Sequence, residues 1–414
     1  MNRKIAVVGG GAAGMMAAIQ AAASGASVSL YERGDRVGKK ILSTGNGKCN
    51  FSNEKMGPEY YHGSGKTLWE AVHTTFDTAQ TKAFFTSLGM RIKERDGYLY
   101  PASEQASTVL DLLRYELERQ HVTIHTETKV KEIIRKNDGF MLEPSGTVYD
   151  AVILACGGSA APGTGSDGNG VLLAKKLGHA IVPVVPALTA LRCQEAFFRQ
   201  VAGVRCDASL VLRAAGKEVC RERGELQLTD YGLSGIPTFQ ISRHAAYALQ
   251  EKKPVTVTIY FLPDQDESAC AAFFQERLAV HGQEEMERFL TGIVNKKINQ
   301  LLLKLSGIRQ GERANEVPAA SFRRLWKLYC GLEVTVVGVN PFEKAQVSAG
   351  GVDCGEVTTS LMSRKIPGLY FAGEILDIDG VCGGYNLQWA WSSGAVAGRA
   401  AASAKDMIEK RGKL

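Results

Sequence analysis

The sequence predicts an α/β protein whose parallel-sheet domain is split by an inserted β-rich and helical segment. Three observations carry that expectation. The N-terminus reads strand, glycine turn, helix, strand; glycine is over-represented; and the glycine-rich α/β pattern returns near residue 370 after a stretch of different character. Glycine accounts for 45 of 414 residues, about 11% against a usual share of roughly 7%. A surplus of about 16 therefore needs a structural reason. No Gly-X-Y period accompanies it and Pro numbers only 12, which excludes collagen and low-complexity disorder. With 45% hydrophobic and 22% charged residues, the chain can bury a large core in two or three domains.

Taken in order, Ile5-Ala6-Val7-Val8 is a buried-type strand, residues 12–24 a small-residue helix stopped at Gly25, and residues 27–32 a second strand. Asp77 is placed to cap a helix reaching residue 88, closed by Gly89. Residues 107–120 place Val109, Leu112, Leu113 and Leu117 at helical spacing. Short strands follow at 122–126, 130–135 and 140–143, with Asp138-Gly139 as a hairpin signal, and residues 148–155 form another strand. This order suits a small β-meander within a βαβ framework.

Beyond residue 186, alternating segments at 208–213 and 255–261 suggest a β-rich module. Between 265 and 330, Phe289, Ile293, Ile298, Leu301, Leu302 and Leu305 recur at helical spacing. The β signal resumes at 334–339. The expected layout is a first part of the split domain at 1–186, an inserted β-rich domain at 187–264, a helical module at 265–332, and the second part at 333–414.

A net charge of +6 is mild, and a solvated basic surface accounts for it without nucleic acid. No linear basic block stands out, and no apolar run approaches the ~18 residues of a membrane span. The residues after Ile5 turn to glycine too soon for a signal-peptide core. Nine scattered cysteines with no C-x-x-C argue for a reducing cytoplasm and against a zinc site or dithiol redox centre. His62, His73, His121, His125, His179 and His281 show no metal-ligand spacing, and G-x-S-x-G and P-loop motifs are absent.

Gly9-Gly10-Gly11-Ala12-Ala13-Gly14 satisfies G-x-G-x-x-G where the first strand meets the helix. The first glycine permits the tight turn, the second lets backbone approach a pyrophosphate, and the third allows close helix–strand packing. The helix N-terminus offers N–H groups and partial positive charge. Glu32, at the end of the second strand, can accept hydrogen bonds from ribose hydroxyls. Together these point to a Rossmann-like dinucleotide site. NAD and FAD share the adenosine diphosphate half, so the motif leaves both open. A second glycine-rich element far downstream favours FAD, whose length calls for contacts from both ends of a split domain. Gly163-Thr164-Gly165-Ser166-Asp167-Gly168 follows a Pro-containing loop, and residues 186–340 contain no second Rossmann unit, so NAD(P)H enters only as a transient co-substrate.

The blocks TGNGKCNFSN from Thr44, LQLTDYGLSG from Leu226, AQVSAGGV from Ala345 and AGEILDIDGVCGGYNLQWAWSSG from Ala372 resemble a bacterial family of FAD-dependent oxidoreductases. That family includes aminoacetone-oxidase-like proteins and bile-acid-intermediate reductases. The resemblance covers essentially the whole chain. It implies a glutathione-reductase-like FAD domain interrupted by a β-barrel-like module and a small helical module. It places Gly9, Gly11, Ala12, Ala13 and Gly14 around the pyrophosphate, Glu32 on the adenosine ribose and Arg33 beside the adenine. Lys40 and Gly45, Asn46, Gly47, Lys48, Cys49 and Asn50 lie along pyrophosphate, ribityl chain and flavin. Val130 belongs to a strand whose backbone meets the adenine. Ala155-Cys156-Gly157-Gly158 resembles an A-T-G-G strand end, with Cys156 in place of Thr and more readily explained as a buried core residue than as a redox group. Gly373, Glu374 and Asp377 face the ribityl hydroxyls, since carboxylates suit a polyol. Asn386, Leu387 and Gln388 open a helix aimed at the flavin pyrimidine, whose N-terminus favours negative charge on the reduced ring. Trp389 and Trp391 are expected to pack.

A flavin carries hydride itself, so no protein nucleophile is needed. No catalytic residue is assigned; Tyr231, Arg243, His244 and Tyr385 are candidate shaping groups that a structural role also explains. Substrate is expected between the FAD domain and the insertion. The expected function is FAD-mediated hydride transfer to or from a small organic molecule, by enone or steroid-like acid reduction or by amine oxidation. A tRNA-modifying flavoenzyme and a flavin-binding redox sensor without turnover are the alternatives. Five clusters of Gly (9, 10, 11, 14; 45, 47; 157, 158, 163, 165, 168, 170; 350, 351; 373, 380, 383, 384) hold 18 of the 45, and the expectation is that they mark where backbone approaches the dinucleotide.

Overall fold

The computed structural model describes residues 2–137 and 139–403. The Asp138 half of the expected hairpin signal lies outside the described residues. Two units result: residues 1–185 with 346–414, and residues 186–345.

The first unit is built on a five-stranded parallel sheet. Its order is Leu369–Phe371, Ala151–Leu154, Lys4–Val8, Ser27–Tyr31, Thr123–His125. Residues 5–8 and 151–154 are buried throughout, as strands covered on both faces must be. The strand Leu369–Phe371 pairs with Ala151–Leu154, so the chain returns to complete the sheet after the second unit. Residues 122–126, grouped by pattern with the meander, instead supply the sheet's outer strand, pairing with Ser29–Tyr31 in parallel. The antiparallel meander comprises Glu132–Lys136, Gly139–Glu143 and Val148–Tyr149.

Helix Ala12–Ala23 packs against helix Tyr385–Ser403 through small residues. A Cβ at Gly394 would sit 2.5 Å from the Ala13 carbonyl oxygen, so glycine there sets the approach of the two backbones. Helix Thr78–Ser87 opens with a capping box: Asp77 accepts from the Gln80 backbone N–H at 2.8 Å and Gln80 accepts from the Asp77 N–H at 2.7 Å. Sequence reading passed over the hairpin Ile92–Arg95 and Tyr98–Pro101. Its Asp96-Gly97 turn has positive φ at both residues, the two-residue turn that matches strand twist.

The second unit is a closed six-strand barrel with a helical module. Barrel order is Leu191–Cys193, Gly232–Gly235, Lys217–Thr229, Arg205–Ala214, Val255–Tyr260, Leu332–Val339. The last strand was expected in the returning FAD domain. It belongs to the barrel because it pairs on both edges, with Val255–Ile259 and with Leu191–Cys193, and closes the ring. Helices Glu267–His281, Met286–Phe289, Lys296–Ser306 and Ala319–Tyr329 bury Phe274, Phe289, Ile298, Leu302 and Tyr329 in one core with the barrel.

The cysteine reading needs one correction. Cys270 and Cys330 form a disulfide across 60 residues, a pairing no local spacing announces. Among the described residues no helix is long and apolar enough to cross a membrane, and no group of three or more His, Cys, Asp or Glu could hold a metal.

Candidate flavin site

The glycine turn divides by function. A Cβ on Gly14 would overlap the Gly9 carbonyl oxygen, and one on Gly9 would meet the Ala155 carbonyl at 2.5 Å. Both glycines are thus required by the fold itself. Gly11 differs: a Cβ there meets nothing within 4 Å. It is the N-cap of helix Ala12–Ala23, and no side chain caps that helix. Open space before uncapped N–H groups is what an anionic diphosphate needs. Ala12 is half-buried beside it and Ala13 is buried.

Glu32 is buried at the end of its strand and accepts from the Gly10 N–H at 2.9 Å and the Gly34 N–H at 2.7 Å. The carboxylate therefore organises the turn from inside. Arg33 forms an ion pair with Asp167, which Lys129 also reaches at 2.8 Å. Burial raises the Asp167 pKa, but hydrogen bonds from Lys129 and the Asn169 N–H, with the Arg33 charge, hold it below the usual range. Val130 is not in a strand, since the pairing begins at Glu132. Its carbonyl accepts from Asn169 Nδ2 at 3.0 Å, which still fixes the local backbone.

Lys40 Nζ bonds Glu374 Oε2 at 2.9 Å, and Glu374 Oε1 accepts from the Ser348 N–H at 2.8 Å. Ser348 Oγ in turn accepts from the N–H groups of Ser159 and Ala160, at 2.8 and 3.0 Å. Three distant segments thus meet beside Gly158, where a Cβ would crowd both Ser348 and Glu374. Ser348 lies in the AQVSAGGV block and was not singled out; its position before two glycines was the available signal.

The loop Lys39–Gly47 is irregular, with positive φ at Gly45, Asn46 and Gly47. Gly45, Asn46, Gly47 and Lys48 are exposed, and Lys48 forms an ion pair with Glu104 at 3.2 Å. Cys49 is fully buried and burial pushes its thiol up to about 11, so its side chain packs. Asn50 carries a buried Oδ1 with no partner among the described residues. Asp377 is similar: Oδ2 accepts from the Ser64 N–H at 2.8 Å while buried Oδ1 lacks a described partner. Cys156 donates to the Val8 carbonyl at 3.2 Å, and burial, with Glu32 and Asp167 nearby, pushes it up to about 12. It packs in the core at the sheet end next to Gly157.

Gln388 is fully buried and every group on its amide is engaged. It accepts from Ser52 Oγ at 2.6 Å and donates to Thr81 and Ser392 at 2.8 and 2.9 Å. The side chain cross-braces the core, which leaves only its backbone for the expected place on the cofactor. Asn386 locks the preceding turn through Gly380, donating at 2.7 Å and accepting at 2.8 Å, while Leu387 is half-buried. Trp389 and Trp391 pack, donating to the carbonyls of Gly373 and Phe51 at 3.1 and 2.9 Å.

Of the shaping groups, Tyr231 accepts from Asn340 at 3.0 Å and lies under Arg192, a structural setting within the barrel. Burial, with Arg243 beside it, pushes His244 down to about 4, so its imidazole is neutral near pH 7. Tyr385 sits among other tyrosines in the first unit.

A parallel sheet ending on an uncapped glycine turn, with a distant acidic turn brought beside it, defines a Rossmann-type FAD flavoprotein. The chain belongs to the HI0933-like protein Rossmann domain family, whose pattern matches residues 3–400, and it is an FAD-dependent oxidoreductase. It is 46% identical over 407 residues to a 3-dehydro-bile acid delta(4,6)-reductase of Clostridium scindens, covering 97% of this chain and 99% of that one. A ribosomal RNA dihydrouridine synthase of Escherichia coli is 29% identical over 409 residues, covering 97% of each. Among solved structures, a 3-ketosteroid delta1-dehydrogenase from Sterolibacterium denitrificans aligns with a TM-score of 0.49 and 12% identity, over 97% of this chain and 100% of that one.

Proposed function

We propose that this enzyme reduces a carbon–carbon double bond conjugated to a carbonyl in a small, ring-containing organic acid. FAD carries the hydride and a reduced pyridine nucleotide supplies it by transient contact. The observation that supports this most is the 46% identity along nearly the full length of a relative named as a bile acid enone reductase. FAD, when bound, supplies hydride chemistry that no side chain can.

The chain's own residues then have holding roles. Gly9, Gly11, Ala12, Ala13 and Gly14 present the turn and helix N-terminus to the pyrophosphate. Glu32 fixes that turn and faces the ribose side, with Arg33 and the Val130 backbone toward the adenine. Lys40 with Glu374, the backbone of residues 45–50, 155–158 and Gly373, and the unpartnered oxygens of Asn50 and Asp377 serve the diphosphate, ribityl and ring portions. Asn386 and Leu387 contribute through the helix start. The cytoplasm is the proposed location, on the seven cysteines that stay free, with the Cys270–Cys330 disulfide as the observation against it.

A second reading has its own observation. Residues 296–329 hold eight Lys or Arg against two Asp or Glu, a basic surplus spread over 34 positions rather than a continuous run. Lys297, Lys304, Arg309, Arg313, Arg323 and Arg324 are exposed, as a polyanion-binding surface requires. With the RNA-modifying relative, this supports uridine reduction in RNA.

One experiment separates these readings. The purified protein, reduced anaerobically with NADH or NADPH, is mixed with a 3-keto-4-ene steroid acid, a primary amine, ribosomal RNA or oxygen. Rapid flavin reoxidation by the enone is the expected result. Reoxidation only by RNA supports the second reading, and flavin reduction by the amine makes it an oxidase. A protein that binds no flavin would sink the assignment altogether.

A further inference from the structure

The parallel sheet fixes the spacing of two segments assigned to the flavin and then lets go of them. Strand Ala151–Leu154 pairs with Leu369–Phe371, and the Ala372 N–H still donates to the Leu154 carbonyl at 2.9 Å. Beyond that bond one segment runs into Cys156-Gly157-Gly158 and the other into the acidic turn Gly373–Ile375. Among the described residues no backbone hydrogen bond joins 155–160 to 373–377. The acidic turn's own backbone is tied elsewhere: the Gly373 N–H donates to Ser393 Oγ at 2.8 Å, and its carbonyl accepts from Trp389 Nε1 at 3.1 Å. A dinucleotide that touches both segments binds best when they are already held at one separation.

Ser348 spans the gap. It lies on strand Val347–Val352 and is 1% exposed. Its N–H donates to Glu374 Oε1 at 2.8 Å, while its Oγ accepts from the N–H groups of Ser159 and Ala160 at 2.8 and 3.0 Å. Two successive N–H groups converging on one point form a concavity that attracts negative charge, and here the hydroxyl oxygen fills it. One small residue thus bonds the acidic turn through its backbone and the strand end through its side chain. The fit is tight. A Cβ at Gly158 would stand 2.6 Å from Ser348 Oγ and 2.8 Å from Glu374 Oε1. Gly158 is not at positive φ, so its missing side chain makes room for this joint rather than for a left-handed turn. Lys40 holds the other carboxylate oxygen at 2.9 Å, but through a long side chain from an irregular loop.

We infer that Ser348 is the positioning residue that sets the distance between the acidic turn and the end of strand Ala151–Leu154, an assignment that rests on the reading of those two segments as cofactor-holding. Its hydroxyl oxygen is what the role requires. Alanine keeps the backbone bond to Glu374 but leaves two N–H groups, one of them on fully buried Ala160, without their acceptor. The strand end is then free to drift from the carboxylate. A cofactor that touches both segments loses preorganised contact on one side, so its affinity and the asymmetry of its surroundings change together. A residue that merely packed would alter neither once the protein is folded.

The test titrates flavin-free protein with FAD by fluorescence quenching. Visible circular dichroism of the bound flavin and thermal unfolding of the flavin-free form are measured alongside. Ser348→Ala is expected to weaken FAD binding at least tenfold and to change the dichroism. Ser348→Thr should bind within threefold of wild type, and Ser348→Val, which has the shape of Thr without the hydroxyl, should match the Ala variant. Gly158→Ala, pressed against both partners, should weaken binding by a similar factor. An Ala variant that unfolds at lower temperature but binds FAD within threefold of wild type overturns the proposal, as do Thr and Val variants of equal affinity. Glu374→Ala tests the underlying reading: unchanged affinity there removes the acidic turn from the flavin site, and the proposal with it. Weakened affinity there beside an unaffected Ser348→Ala overturns the proposal alone. If the Ser348 variants do not fold, Gly158→Ala decides by itself, and wild-type affinity in it overturns the proposal.

Discussion

Gly11 and Gly14 stand three residues apart in one motif and answer to different demands. The Gly14 Cβ would overlap the Gly9 carbonyl, whereas the Gly11 Cβ would enter empty space. Gly14→Ala should therefore destabilise the fold by about 3 kcal/mol, in the range of forced overpacking, and lower the unfolding temperature of flavin-free protein. Gly11→Ala should leave that temperature within a degree or two and weaken FAD binding at least tenfold by fluorescence titration. Equal effects on both properties in both variants would refute the division. The glycine surplus needs the same distinction. Gly11, Gly47 and Gly163 open onto space, while Gly9, Gly14, Gly158, Gly350, Gly351 and Gly384 are pressed by the protein's own atoms. Packing inside the protein is thus a second reason for glycine in these clusters, against backbone at Gly9, Gly14, Gly350, Gly351 and Gly384 and against the Ser348 and Glu374 side chains at Gly158.

At the scale of elements, helix Tyr385–Ser403 shows what periodicity cannot separate. By sequence, Gln388 is a polar residue at a helix start expected to aim at the flavin. Its amide instead ties Ser52, Thr81 and Ser392 together inside the core. Gln388→Ala would leave these hydroxyls short of partners, costing on the order of 3 kcal/mol. Thermal unfolding should report that loss, and FAD affinity at a temperature where the variant is folded should match wild type. A weakened affinity in a fully stable variant would return Gln388 to the cofactor. The helix spans that pattern and capping mark, such as Thr78–Ser87 behind Asp77, were legible from local signals. The hairpin at Asp96-Gly97 was legible too, since Asp-Gly between strand-forming residues is a strong turn signal, and it was passed over. Strand Thr123–His125 was placed with the wrong sheet because local alternation does not say which partner a strand will pair with.

For the molecule as a whole, the chain leaves its parallel sheet, builds a barrel with a helical module, and returns. The helical module is fastened by the Cys270–Cys330 disulfide. Closing a loop of 60 residues stabilises by about 4 kcal/mol in the chain-entropy estimate. Peptide mapping without reductant should recover the two cysteines linked, and Cys270→Ser should lower the unfolding temperature measurably. Recovery of both as free thiols in protein purified without reductant would remove the bond from the account.

By itself the sequence determined the fold class, the glycine turn proposed to hold the pyrophosphate, the cofactor class and the existence of an insertion. These depend on residues close in the chain: a strand, three glycines, a helix start and an acid at the next strand end. Tertiary structure decided the rest. Only the fold brings Lys40 to Glu374 across 334 positions, turns Gln388 inward, gives the strand Leu332–Val339 to the barrel, and sets Ser348 between Ser159 and Glu374. The physical reason is that backbone turns and helix ends are set by neighbours in sequence. Burial, pairing and the partner of each polar atom are set by neighbours in space.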